Sequence, residues 1–106
     1  MTDITTEAHP VAALPAVLGA LQDPVRLEMV RRLSNAGTAL RCATLYDGIN
    51  KSTATHHFKI LREAGVTDRL IIDGQTCQRL RTEALDEALP GLLDSIVGAA
   101  NRARQD

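Results

Sequence analysis

The most informative part of the sequence is the run Ile49-Asn-Lys-Ser-Thr-Ala-Thr-His-His-Phe-Lys-Ile-Leu-Arg-Glu-Ala-Gly65. Its second residue, Asn50, has a side chain that readily accepts hydrogen bonds from the free N–H groups at a helix start. Gly65 is a residue that commonly ends helices. The run therefore predicts a helix over Lys51 to Ala64, and its apolar residues recur at helical spacing on one buried stripe, which comprises Ala54, Phe58, Ile60, Leu61 and Ala64.

The other face of this predicted helix carries hydroxyls, amines and an imidazole, with no acidic residue before Glu63. Such side chains suit phosphates and base edges, and an α-helix fits the major groove of DNA with its positive N-terminal end near phosphates. An ordinary solvated face is the alternative, although such faces usually mix charges of both signs. We therefore predict DNA-binding residues on this face, namely Lys51, Ser52, Thr53, Thr55, His56, Lys59 and Arg62.

The residues just before this helix predict a short helix over 42–47, separated from it only by Gly48-Ile49-Asn50. Two helices joined by a tight turn that contains glycine are typical of a helix-turn-helix. Further upstream, apolar spacing predicts one helix over 14–22 and another that begins at Asp23-Pro24 and stops at Gly37.

Downstream, the runs 66–72 and 76–81 are rich in β-branched and aliphatic residues, and Asp73-Gly74-Gln75 between them predicts a β-hairpin. We include Gln75, at the turn, among the candidate DNA contacts. A last helical region follows and is interrupted or restarted at Pro90. The order α-α-α-α-β-β-α predicts a mainly α fold with a two-stranded β-hairpin, which is a winged helix-turn-helix.

The length of 106 residues is that of one domain. We predict a flexible N-terminal tail over 1–12, the winged helix-turn-helix domain over 13–101 and a frayed C-terminal tail over 102–106. No apolar run approaches the roughly 18 residues that span a bilayer, and no basic start precedes an apolar stretch as in an export signal. A cytoplasmic protein is expected, and its two cysteines are too few for a disulfide scaffold.

The net charge of −1 conceals an uneven distribution along the chain. Residues 24–81 hold ten Lys/Arg against five Asp/Glu, whereas the two ends together hold two Arg against eight acids. A basic middle of the chain (net +5) between acidic ends (net −6) suggests one face for an anionic polymer and another for a different contact.

The terminal helices are expected to join two copies of the chain. With only two aromatic residues, the core must be aliphatic and small, and such a core gains from dimerisation. The apolar residues of both ends exceed what so small a core can cover, and we predict that they form a homodimer interface: Leu14, Val17, Leu18, Leu21, Leu89, Leu92, Leu93, Ile96 and Val97. A twofold dimer would bind double-stranded DNA at an inverted-repeat operator, with half-sites roughly 34 to 36 Å apart.

Asp23-Pro-Val-Arg-Leu27, followed by the run from Ile49 to Gly65, resembles the ArsR/SmtB-type regulators. Those proteins carry a D-P-x-R-L helix start and a recognition helix with the pattern S-x-S-T-x-S-x-H-L-x-x-L-R-E-A-G. The resemblance extends over about residues 13–100 and implies a winged helix-turn-helix dimer, acting as a repressor that releases or grips its operator on an inducer signal. The hairpin departs from the family: Leu70-Ile-Ile-Asp73 stands where such regulators often carry basic residues.

The family's metal sensors carry a Cys-x-Cys pair at positions that correspond here to Ala39 and Arg41. Cys42 lies one residue further on, so we expect it to be a small apolar core residue, and we expect no metal site and no cofactor. His56 and His57 point about 100° apart on a helix, which disfavours a shared metal ion; His57 is expected to pack inward. The effector stays open among small molecules, metals and redox signals.

Two other functional classes fit the sequence less well. A winged-helix module for protein contact without specific DNA binding is the main alternative, but it would not need an acid-free helix face. An enzyme is not expected, because the sequence has no Gly-rich phosphate loop, no G-x-S-x-G and no H-E-x-x-H. Asp86 and Glu87 are more simply explained as a solvated helix start than as a catalytic pair.

Overall fold

The computed structural model of the chain describes residues 4–5 and 8–105. Five helices, a 3-10 turn and four strands follow one another within these residues. In chain order they are β1 (Ile4–Thr5), α1 (Leu14–Leu21), α2 (Pro24–Ala36), β2 (Leu40–Arg41), the 3-10 turn (Cys42–Thr44), α3 (Lys51–Glu63), β3 (Thr67–Ile72), β4 (Gln75–Leu80), α4 (Thr82–Ala88) and α5 (Leu92–Gln105).

Both predicted helix caps are present. The Asp23 carboxylate accepts hydrogen bonds from the backbone N–H groups of Val25 (2.8 Å) and Arg26 (3.1 Å) at the start of α2. The Asn50 side chain accepts one from the N–H of Thr53 (2.8 Å) at the start of α3. Each cap satisfies helix-start donors that have no partner within the helix, and the two helices therefore begin where the sequence predicts.

The core is aliphatic and gathers around α2 and α3. From α2 it takes Met29, Val30 and Leu33, and from α3 it takes the stripe predicted from the spacing of apolar residues. Ala54, Phe58, Leu61 and Ala64 are buried and Ile60 is partly buried against them, which confirms that stripe.

The predicted hairpin is confirmed and belongs to a larger sheet. β3 pairs with β4 in antiparallel register, with Thr67 opposite Leu80 and Ile72 opposite Gln75. Two short strands extend it, β1 beside β3 and β2 beside β4, and the four strands follow the order β1-β3-β4-β2. β1 lies in the segment predicted as a flexible tail; residues 1–3 and 6–7 of that segment lie outside the described residues.

The helix predicted over 42–47 is present only as the 3-10 turn Cys42–Thr44. In a continued α-helix the carbonyl of Thr44 would accept from the N–H four residues later. It accepts instead from the Arg32 side chain of α2 (3.0 Å), and the Thr44 hydroxyl donates to the carbonyl of Arg41 (2.7 Å). These contacts, together with the pairing of β2, compete with helix formation.

The last helical region consists of two helices, α4 and α5, with Pro90 between them as predicted. Gly91 follows with a φ of 80°, a left-handed conformation that turns the chain into α5. None of the helices in the described part of the chain is long and apolar enough to cross a membrane.

Candidate nucleic-acid interface

The outward face of α3 presents the predicted DNA-binding residues to solvent. The exposed ones are Lys51, Ser52, Thr53, Thr55, His56 and Lys59, and Arg62 is half-buried near the end of the helix. Gln75, on the hairpin, is exposed as well. Contact with DNA by any of these side chains stays a prediction.

Two of these side chains already make contacts within α3. The Thr55 hydroxyl donates to the carbonyl of Lys51 (2.8 Å), so its oxygen faces an outside donor only as an acceptor. The ammonium of Lys59 lies 4.0 Å from the carboxylate of Glu63, and both side chains are more than half exposed. An exposed pair of this length contributes little, so Lys59 can be redirected to a phosphate at low cost.

His57 fixes the rotation of α3 about its axis from the side that faces α2, and its side chain is only 12% exposed. Its Nδ1 lies 2.9 Å from Nη1 of Arg26, and because a guanidinium can only donate, Nδ1 is the acceptor in this hydrogen bond. Arg26 also donates through Nε to the carbonyl of Ala20 (2.7 Å). His57 therefore packs inward as predicted, and Arg26, for which the sequence predicted no specific role, is a positioning residue.

Asp23 completes this junction between α2 and α3. Its Oδ1 lies 3.9 Å from Nδ1 of His57. Burial alone would raise the pKa of Asp23, but the backbone N–H groups of Arg26 and Val25 hydrogen-bond the charged form, and the net shift of the pKa is downward. The carboxylate is thus held in the ionised state that caps α2.

An ionic network ties α2 to the turn that precedes α3. The Glu28 carboxylate accepts from Arg31 (2.8 Å) and Arg32 (2.8 Å), and Arg32 reaches on to Asp47 (2.6 Å) and to the carbonyl of Thr44. The hydrogen bonds from Arg31 are the largest cause that lowers the pKa of Glu28 to about 2. This network holds the segment 42–47, the first half of the helix-turn-helix, in place on α2, although that segment is not an α-helix.

The sheet contributes two basic residues that are not among the predicted DNA contacts. Arg69 on β3 is exposed, as is Arg41 on β2, and both line a cavity between α3 and the hairpin. Arg69 stands opposite Gln78 in the β3–β4 register, and Arg41 stands opposite Cys77 in the β2–β4 register. The alternation of side chains along β3 could have identified Arg69, but the pairing of β2 could not have been deduced from sequence.

Both cysteines are free thiols and neither is fully exposed. Cys42 is half-buried against the core, as predicted, and burial raises the pKa of its thiol. Cys77 is buried in β4 and donates to the carbonyl of Gln75 (3.6 Å). Among residues 4–5 and 8–105, no group of three or more His, Cys, Asp or Glu side chains is arranged to hold a metal ion.

The residues predicted for a dimer interface fall into two groups. Val17, Leu21, Leu93 and Val97 are buried in the core of a single chain, because α1 and α5 pack against α2, and they do not form part of its surface. Of the remaining predicted interface residues, Leu14 (43%) and Leu18 (42%) are exposed, and Leu89, Leu92 and Ile96 are half-buried. Pairing of two chains through this smaller set stays a prediction.

Comparisons with known proteins agree with this architecture. Residues 21–69 match the family model of a helix-turn-helix domain. The chain is 35% identical over 82 residues to the uncharacterized HTH-type transcriptional regulator YceK of Bacillus subtilis, a match that covers 76% of this chain and 82% of that protein. The crystal structure of the transcriptional repressor BigR from Xylella fastidiosa is similar with a TM-score of 0.61 at 24% identity, over 81% of this chain and 84% of that chain. The structural similarity to BigR confirms the predicted winged helix-turn-helix fold.

Proposed function

The chain belongs to the winged helix-turn-helix transcriptional regulators, and from this premise we propose that it is a sequence-specific DNA-binding repressor of the ArsR/SmtB type. It acts as a homodimer on an inverted-repeat operator. The observation that carries the proposal is the outward face of α3, which is exposed and free of carboxylates from Lys51 to Arg62.

The direction of the α3 dipole and its cap support this use of the helix. Asn50 satisfies one of the first N–H groups of α3, and the remaining ones face outward at the positive end of the helix. With this end in the major groove, Thr53, Thr55 and His56 reach base edges. Lys59 and Arg62, one to two turns later, reach phosphates.

The junction with α2 supports sequence specificity rather than charge attraction alone. Recognition of a base edge needs a helix whose rotation is fixed, because hydrogen bonds to bases are directional. The Arg26–His57 hydrogen bond supplies that fixation from the inner side of α3, and the Arg32–Asp47 ion pair holds the preceding turn against α2.

The test is a selection of binding sites from random duplex DNA, followed by fluorescence anisotropy with the selected site and a scrambled one. His56→Ala should relax specificity by about 1–3 kcal/mol at one base pair. Lys59→Ala should weaken both duplexes alike and reduce the salt slope by about 1. Arg102→Ala, which removes an equal charge from the far end of α5, serves as the matched control and should leave affinity nearly unchanged.

A chain that binds DNA equally well after Lys51, His56 and Lys59 are all changed to alanine would contradict the proposal. A winged-helix module for protein contact would give no enriched sequence in the selection and a weak salt dependence.

A further inference from the structure

A half-open cavity of about 790 Å³ lies between α3 and the β3–β4 hairpin, on the side where β2 and the 3-10 turn meet them. Its volume falls within the range of about 300–1,000 Å³ that is typical of small-molecule sites. It is therefore large enough for more than a single inorganic ion.

The floor of the cavity is apolar with one buried amide. Ala54 and Phe58 contribute their buried side chains, and the Tyr46 ring meets that of Phe58 edge to face at 6.2 Å between centroids. The amide of Gln78, 1% exposed, accepts from the Thr67 hydroxyl (3.2 Å) and donates only to the Cys42 sulfur (3.7 Å) within the described residues. A thiol is a weak acceptor, so this amide keeps donor capacity at the cavity wall.

The rim of the cavity is cationic. Four basic side chains from three elements line it, and none of the described residues that line it carries a carboxylate; the four are Arg41, Lys51, Arg62 and Arg69. Like charges around a concave, partly apolar surface concentrate a positive potential there, and a bound anion relieves their mutual repulsion.

The thiol of Cys42 does not cancel this potential. Burial raises the pKa of Cys42, so the thiol remains protonated and neutral at physiological pH. Its sulfur lines the cavity as a soft, weakly polar surface.

We propose that this cavity is an effector site for a small organic anion, whose apolar body lies on the Phe58 floor and whose carboxylate or phosphate group meets the cationic rim. Lys51, Thr55 and Arg62 line the cavity and also belong to the proposed DNA-binding face. A bound anion therefore excludes the DNA backbone from this part of the face. This competition rests on the proposed function, whereas binding of the anion does not.

A phosphate of the DNA backbone would bring the same negative charge to the rim as a small organic anion. Contact with the apolar floor distinguishes these two ligands. A backbone phosphate carries no apolar group that could reach Ala54 and Phe58, and it would leave most of the cavity to water. A compound with both parts should therefore bind more tightly than either part alone.

Tyr46 offers a direct readout, because it lines the cavity, it is the single tyrosine, and the chain has no tryptophan. Tyrosine fluorescence is followed while the full chain is titrated with hexyl phosphate, inorganic phosphate or hexanol. We expect saturable binding of hexyl phosphate with a dissociation constant at least about tenfold below those of the other two compounds.

Variants then locate the site. Arg69→Gln and Arg41→Gln each remove one rim charge from an exposed position on a different strand, and each should weaken hexyl phosphate about tenfold. Arg102→Gln makes the same change of charge away from the cavity and should have no effect. Thermal unfolding monitored by circular dichroism verifies that all three variants are folded.

Equal affinities for hexyl phosphate and inorganic phosphate would overturn the inference in favour of a simple anion contact. So would an unchanged Tyr46 signal, or a loss in Arg69→Gln and Arg41→Gln no greater than in Arg102→Gln. In the anisotropy assay hexyl phosphate should release the selected duplex, and tight DNA binding that persists at saturating hexyl phosphate would overturn the competition. Failure of DNA binding in the absence of any probe would instead remove the proposed function and leave the Tyr46 titration intact.

Discussion

Gly65 occupies a position where both the backbone conformation and a close approach require the absence of a side chain. Its φ is 78°, and a Cβ built there would lie 2.6 Å from the Cα of Val11 and would also collide with the carbonyl of Pro10. The Arg81 guanidinium donates to the carbonyls of Gly65 (3.0 Å) and His9, which holds the N-terminal segment over the end of α3. Gly65, which follows the end of α3, therefore also leaves the space in which Pro10 and Val11 pack.

Gly65→Ala should reduce the free energy of unfolding by about 2–4 kcal/mol, since the left-handed conformation costs about 1–2 kcal/mol for alanine and displacement of residues 10–11 adds to it. Gly48→Ala is the matched control, because Gly48 has a φ of 74° but open space around its hypothetical Cβ, and it should lose only the conformational part. Urea unfolding of the two variants gives the comparison. Equal losses would show that the N-terminal segment does not press on Gly65.

At the scale of elements, α2 is the support on which α3 and the preceding turn are positioned. This explains which parts of the fold could be predicted. The caps Asp23 and Asn50 act on N–H groups two or three residues away, and local sequence therefore reveals them. The segment 42–47 depends on Arg32, an ion-pairing partner more than ten residues away, and apolar spacing carries no information about it.

Glu28→Gln should destabilise the chain by about 1–3 kcal/mol at pH 7, because the amide no longer pairs ionically with Arg31 and Arg32. The pKa of Glu28 is depressed from 4.5 to about 2 in the folded state, so this stabilisation is fully present above about pH 4.5 and is lost as the pH falls toward 2. Urea unfolding from pH 7 to pH 3 should show the wild type and the variant converging.

The control for this pH dependence is Glu87→Gln, a change of the same type at an exposed position of α4. It should shift stability by no more than a few tenths of a kcal/mol at any pH in the series. A Glu28→Gln deficit that stayed constant from pH 7 to pH 3 would show that the network stabilises by packing and not by charge.

On the scale of the whole molecule, the basic side chains of the cavity rim and the exposed leucines lie on different elements. Basic residues surround α3 and the hairpin, whereas exposed leucines lie on α1. The sequence predicted the outward face of α3 because the helical spacing of its apolar residues shows which side chains point away from the core. It did not predict the cavity, because Arg41 and Arg69 meet α3 only through the register of β2, β4 and β3.

Dimerisation can be tested at Leu18, which is exposed and outside the core, so Leu18→Glu should leave the chain folded. We expect a wild-type dimer and a Leu18→Glu monomer in analytical ultracentrifugation at micromolar concentration, since pairing would bury an unpaired carboxylate on each side. The affinity of Leu18→Glu for an inverted repeat should also be lower than that of the wild type. Thr38→Glu adds an equal charge at an exposed position in the loop after α2, outside the predicted interface, and controls for charge alone. A monomeric wild type that still binds the repeat tightly would contradict the dimer.

The pairing of β1 has a consequence for the order in which the chain folds. Ile4 and Thr5 leave the ribosome well before their partners Ile71 and Leu70 have been synthesised. A contact that spans so much of the chain has a high loop-closure cost and forms late. The helical centre can therefore assemble during translation, and β1 joins the sheet only after β3 has emerged.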